Sequence, residues 1–181
     1  ESGTHNYKFR AISESGIVSD EYAITVKVDN VVPEIKVTGN LTKPTTKVAL
    51  KIKTTYGLSG ATVTINSQPY AADLYEVTEN GTYVFTITNG AGVTATETIV
   101  VNNIDTKKPV VEVNTNGYEK DKWTSKDVIL NVTNKTDNLG TTVFEYSLNG
   151  SAWTKFNGNI TITESGTHNY KFRAISESGI V

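Results

Sequence analysis

The stretch ESGTHNYKFRAISESGIV stands at residues 1–18 and again, letter for letter, at 164–181. Its central part, THNYKFRAI (167–175), alternates apolar and polar side chains, the period-two pattern of a half-buried strand. A weaker copy of the pattern lies between the two. TENGTYVFTITN (78–89) aligns with TESGTHNYKFRA (163–174), which places Tyr83, Phe85 and Ile87 on His168, Tyr170 and Phe172. One strand type therefore recurs along the chain, and the sequence reads as a succession of similar units.

Strand signals fill the space between these copies. KVALKIK (47–53), ATVTIN (61–66), TYVFTIT (82–88), VTATETIVV (93–101), DVILNV (127–132) and TTVFEYSL (141–148) all alternate and are rich in Val, Ile, Thr and Tyr. No stretch carries a convincing helical period. The pairs Asn80-Gly81, Asn89-Gly90, Asn149-Gly150 and Asn157-Gly158 tolerate positive φ and are expected at tight hairpin turns. Many short strands at close spacing argue for an all-β chain built of sandwiches.

VVPEIKV (31–37) and KKPVVEV (107–113) align as first strands, each opening on a proline that removes a backbone donor where no ladder yet needs it. The units expected are then residues 1–29, the closing strands of one domain; 32–103, a complete domain; and 108–181, a domain without its last strand. DEYAITVKV (20–28) follows the first copy of the repeat and has no counterpart after the second. The sequence is read as one period of a tandem array, cut out of phase with its domains.

Composition excludes several classes of function. With 17 basic and 19 acidic side chains the chain lacks the positive excess needed to bind phosphate backbones. No apolar run approaches the roughly 18 residues that cross a bilayer, and no N-terminal segment reads as a signal peptide. Zero cysteines leave cohesion to packing alone, without disulfides or thiolate metal sites.

EYSLNGSAWTKFNGNITITESGTHNYKFRAISESGIV (145–181) resembles the bacterial immunoglobulin-like (Big) tandem repeats of surface and secreted proteins. VTENGTYVFTITNGAGVTATETIVVNNIDTKKP (77–109) is similar to related repeats of Gram-positive surface proteins. The resemblance implies tandem immunoglobulin-like sandwiches of about seven short antiparallel strands each, located outside the cell. It also implies that Phe85 takes the place of a strand cysteine, with His168 and Tyr170 as the matching pair in the second domain. A Lys–Asn isopeptide bond is known in such proteins, for which Lys36 or Lys47 with Asn102 or Asn103 are the candidates.

Candidate chemistry is sparse. His5 and His168 are one residue in two copies of a strand, expected at an inward aromatic position, and one imidazole makes neither a triad nor a zinc site. No catalytic, cofactor-binding or phosphate-cradling constellation is found. Asp29, Asn30, Asn103, Asp105 and Asp137 cluster at linkers and in the KTDNLG loop (135–140), where hard oxygens can hold Ca²⁺; ordinary turn and linker chemistry accounts for them equally. Trp123 and Trp153 are candidates for stacking on a sugar, against the expectation that each covers the rim of a core. Arg10 and Arg173, alternating with Lys8 and Lys171, read as a solvated strand face.

These readings converge on a non-enzymatic stalk or spacer of a bacterial extracellular surface protein. The alternative is a ligand-binding module, either a host-protein adhesin or a carbohydrate-binding accessory of a secreted glycosidase. The expected partners are neighbouring repeats, and the open ends suggest head-to-tail strand complementation between chains.

Overall fold

A computed structural model describes residues 1–39, 41–136 and 138–181. The described chain is entirely β and antiparallel within its sheets. No helix is long and apolar enough to cross a membrane.

β1 (Gly3–Phe9) and β2 (Tyr22–Val28) form a two-stranded hairpin. β3 (Glu34–Thr38), β4 (Val48–Thr55) and β7 (Leu74–Val77) make one three-stranded sheet. A four-stranded sheet follows the order β6 (Gln68–Tyr70), β5 (Ala61–Ile65), β8 (Gly81–Asn89), β9 (Thr94–Val101). The remaining strands repeat this arrangement without a counterpart of β9. β10 (Val111–Asn114), β11 (Val128–Asn134) and β14 (Asn159–Ile162) form one sheet, and β13 (Thr154–Lys155), β12 (Thr142–Leu148) and β15 (Tyr170–Ser176) the other. The seven long strands expected from alternation all form; the missed ones, β6, β7, β13 and β14, have four residues or fewer.

By compactness the chain divides into two units. One is Glu1–Gly39 with Ala49–Glu76 and Gly81–Val101; the other is Asn40–Val48 with Val77–Asn80 and Asn102–Val181. In the first, alternation along the strands buries Val37, Leu50, Ile52, Ile65, Phe85, Ile87 and Val101. Phe85, fully buried, meets the ring of Tyr75 on β7 edge-on at 6.1 Å, so an aromatic contact joins the two sheets without a disulfide. In the second, Val48, Val77, Ile104, Leu130, Phe156 and Ala174 are buried, and Phe156 meets Phe172 edge-on at 6.0 Å.

At the hairpin before it the repeated strand keeps the sequence alignment: Val84 bonds with Asn66 as Asn169 does with Asn149, and Phe85 stands opposite Ile65 as Tyr170 stands opposite Leu148. His5 Nε2 and His168 Nε2 meet the carbonyls of Glu1 and Glu164, at 3.2 and 3.0 Å. The turn that follows fixes a register two residues away, in which Phe85 matches Phe172. Ser13, Asn89 and Ser176 each bond through their N–H to the carbonyl four residues on, Ile17, Val93 and Ile180. Their side-chain oxygens accept the N–H of those same residues, and Gly16, Gly92 and Gly179 supply the positive φ.

Of the expected Asn-Gly turns, only Asn149-Gly150 places both residues at positive φ, 52° and 79°. Two further turns of that type are Asn116-Gly117, closed by Tyr118 N on the Thr115 carbonyl, and Asn66-Ser67, between β5 and β6, where asparagine and serine rather than glycine adopt the left-handed region. Asn80 has a different use, described next.

Candidate functional site: the linkers held by carboxylates

Asp29 lies between β2 and β3, four residues before Pro33; Asp105 lies between β9 and β10, four before Pro109. Each bends its linker by accepting the N–H two residues on, Val31 for Asp29 at 3.2 Å and Lys107 for Asp105 at 3.0 Å. Each then grips a loop of the strands that follow. Asp29 Oδ2 accepts Ser59 N at 2.8 Å and Ser59 Oγ at 2.5 Å, from the loop between β4 and β5. Asp105 Oδ2 accepts Leu139 N at 2.9 Å and Asn138 Nδ2 at 3.1 Å, from the loop between β11 and β12. The gripped loops occupy corresponding places, so one device is used twice.

Further bonds reinforce each linker inside its own unit. Asn89 Nδ2 donates to the Val31 carbonyl at 3.0 Å. Asn138 Nδ2 donates also to the Lys107 carbonyl at 2.7 Å, and Thr136 Oγ1 to that of Lys108 at 3.0 Å. Residues 103–105 run parallel to 43–45, with Thr45 N on the Asn103 carbonyl and Asp105 N on the Thr45 carbonyl. The Asn80 amide closes this end by donating to the Ile104 carbonyl and accepting Ile104 N, both at 2.8 Å.

Electrostatics follow from these bonds. Hydrogen bonds from the Ser59 side chain and backbone hold the Asp29 carboxyl below its ordinary value. Asp105 is 3% exposed, and burial pushes its carboxyl up. The bonds from Lys107, Asn138 and Leu139, with the Lys107 charge, outweigh that and leave it lowered. Gly57 belongs to the same site, because a Cβ there would lie 2.2 Å from Asp29 Oδ1.

The calcium candidates thus separate into different surroundings. Asp29 and Asp105 spend their oxygens on N–H and O–H donors, so a cation would have to displace those donors. Asn30 exchanges hydrogen bonds with Ser2, Asn103 Nδ2 donates to the Lys43 carbonyl at 2.7 Å, and Asp137 lies outside the described residues. Among the described residues no group of three or more His, Cys, Asp or Glu is gathered as a metal would need. Of the residues considered for an isopeptide bond, both Lys36 and Lys47 are exposed.

The two tryptophans differ in exposure. Trp123 is 87% exposed. Trp153 lies beneath the Arg173 guanidinium, 4.4 Å from the ring centre, and Arg173 is paired through Nε and Nη2 with Glu145 Oε2 at 2.7 and 2.6 Å. Arg173 is therefore a half-buried, partnered residue and not part of a bare solvated face. Sequence reading missed this triad because Glu145, Trp153 and Arg173 meet only through the β12–β15 register. It missed the clamps too, although the shared spacing from Asp to Pro was a visible signal.

No family model matches this sequence, and no curated protein matches it.

Proposed function

We propose that this chain is a non-enzymatic spacer: a run of tandem immunoglobulin-like sandwiches from a bacterial extracellular surface protein, whose linkers are stiffened to hold other domains away from the cell. The observation that carries this reading is the recurrence of one carboxylate clamp at both linkers, each gripping the corresponding loop. A flexible tether has no use for an aspartate committed to three hydrogen bonds. Repetition of the strand pattern and the resemblance of its motifs to surface repeats support the same reading. Pulling the chain between handles in an optical trap tests it. A spacer extends stiffly and then yields in discrete unfolding events; gradual extension at low force would refute the spacer role.

The exposure of Trp123 favours a second reading, a module that binds a glycan. Glycan-array binding by the chain, lost in Trp123→Ala, is the result that would select it.

A further inference from the structure

Five Asn-Gly pairs occur in the chain, at 80–81, 89–90, 116–117, 149–150 and 157–158. Such a pair carries a reaction of its own, because glycine, without a Cβ, leaves its backbone nitrogen open to the carboxamide carbon of the residue before it. The fold treats the five pairs differently.

Four of the carboxamides are held. Asn80 exchanges two hydrogen bonds with Ile104, both at 2.8 Å. Asn89 is 3% exposed; its Oδ1 accepts Ala91 N and Val93 N, and its Nδ2 donates to the Val31 carbonyl. The nitrogen that follows it is occupied as well, since Gly90 N donates to the Gly60 carbonyl at 3.1 Å and a Cβ at Gly90 would lie 2.4 Å from the Ser59 carbonyl oxygen. Asn149 accepts Asn169 N at 3.0 Å, and Asn116 donates to the Ile129 carbonyl at 3.0 Å. Both stand in left-handed turns, at φ of 52° and 50°. Asn157 differs from all four. It is exposed in the connection between β13 and β14, and among the described residues its carboxamide has no hydrogen-bond partner. A Cβ at Gly158 would meet nothing within 4 Å, so the space needed for ring closure is open.

We propose that Asn157 is a site of spontaneous modification, converted to aspartate and isoaspartate ahead of the other four. The Gly158 nitrogen attacks Asn157 Cγ; the N–Cγ bond forms, the Cγ–Nδ2 bond breaks, and Nδ2 leaves as ammonia with the proton of the Gly158 N–H. Water then opens the cyclic imide. Attack at Cγ yields aspartate, and attack at the main-chain carbonyl yields isoaspartate, whose peptide link runs through the former side chain. Nothing is oxidised or reduced. Either product adds one negative charge to a chain of formal net charge −2. The isoaspartyl link also lengthens the backbone between Phe156, which is 8% exposed and meets Phe172 edge-on at 6.0 Å, and Asn159, which opens β14 opposite Asn131. The modification therefore falls between a core residue and the start of a strand. This inference rests on the surroundings of one side chain and holds whether or not the chain serves as a spacer.

Peptide mapping of the folded chain tests it. The chain is kept in mildly alkaline buffer, which helps the Gly158 N–H lose its proton, and is digested at intervals for mass spectrometry. Isoaspartate is counted with an isoaspartyl methyltransferase and a labelled methyl donor. Conversion at Asn157 should run on the order of tenfold faster than at Asn80, Asn89 or Asn149, because each of those must first give up hydrogen bonds. The same incubation in concentrated urea should bring the five rates together, since glycine follows every one of these asparagines. Asn157→Gln should remove the first acidic species that ion exchange separates from the folded chain. Conversion led by another of the five, a lead of Asn157 that survives unfolding undiminished, or an early acidic species that persists in Asn157→Gln would each overturn the proposal.

Discussion

At the scale of single residues the account rests on Asp105 and Asp29. Asp105→Ala leaves Leu139 N and the Asn138 amide without this acceptor in a partly buried place, and should cost about 1 kcal/mol of stability in urea unfolding. The pH dependence has a definite sign. A carboxyl lowered in the folded state from its ordinary 3.8 contributes stability that is complete above that value and disappears as the pH falls through the lower folded one. The acid limb of the stability curve should therefore be shallower in Asp105→Asn than in the parent chain. Gly57→Ala tests the other clamp, since its new Cβ must push Asp29 away; the Ser59 amide should then exchange with solvent faster, while the folded core persists. The aspartates and prolines were visible in the sequence as linker punctuation. Their partners were not, because Ser59 and Leu139 lie 30 and 34 residues further on and only the fold brings them near.

At the scale of elements, period-two alternation sufficed to find the long strands, since each has one face on a core. It failed for β13 and β6, where two or three residues give no period to read. The repeated strand admits two registers. A shift of two keeps the same face inward, so the pattern of TYVFTIT fits His168, Tyr170 and Phe172 as well as Tyr170, Phe172 and Ala174. The hairpin before the strand follows the first register and the turn glycines Gly92 and Gly179 follow the second. Packing then sets the energies. Phe85→Ala removes the ring that joins two sheets and should destabilise the first unit by about 4 kcal/mol, measured by thermal or urea unfolding. Amides of β1 and β2 should exchange far faster than those of β8, which is held between two strands and fully buried at Phe85 and Ile87.

At the scale of the whole molecule, the repeated topology and the repeated clamp describe a chain whose linkers are structured parts of the fold. Pro33, Pro109 and the alternating strands pointed to modular sandwiches; that each linker is hydrogen-bonded to a loop of its own unit emerged only from the structure. The most direct test of that claim follows hydrogen exchange at the Lys107 and Leu139 amides, both bonded to Asp105 within one unit. The account predicts amides that are protected in the parent sequence and exchange faster in Asp105→Ala. Parent amides that exchange as fast as those of the variant would contradict it.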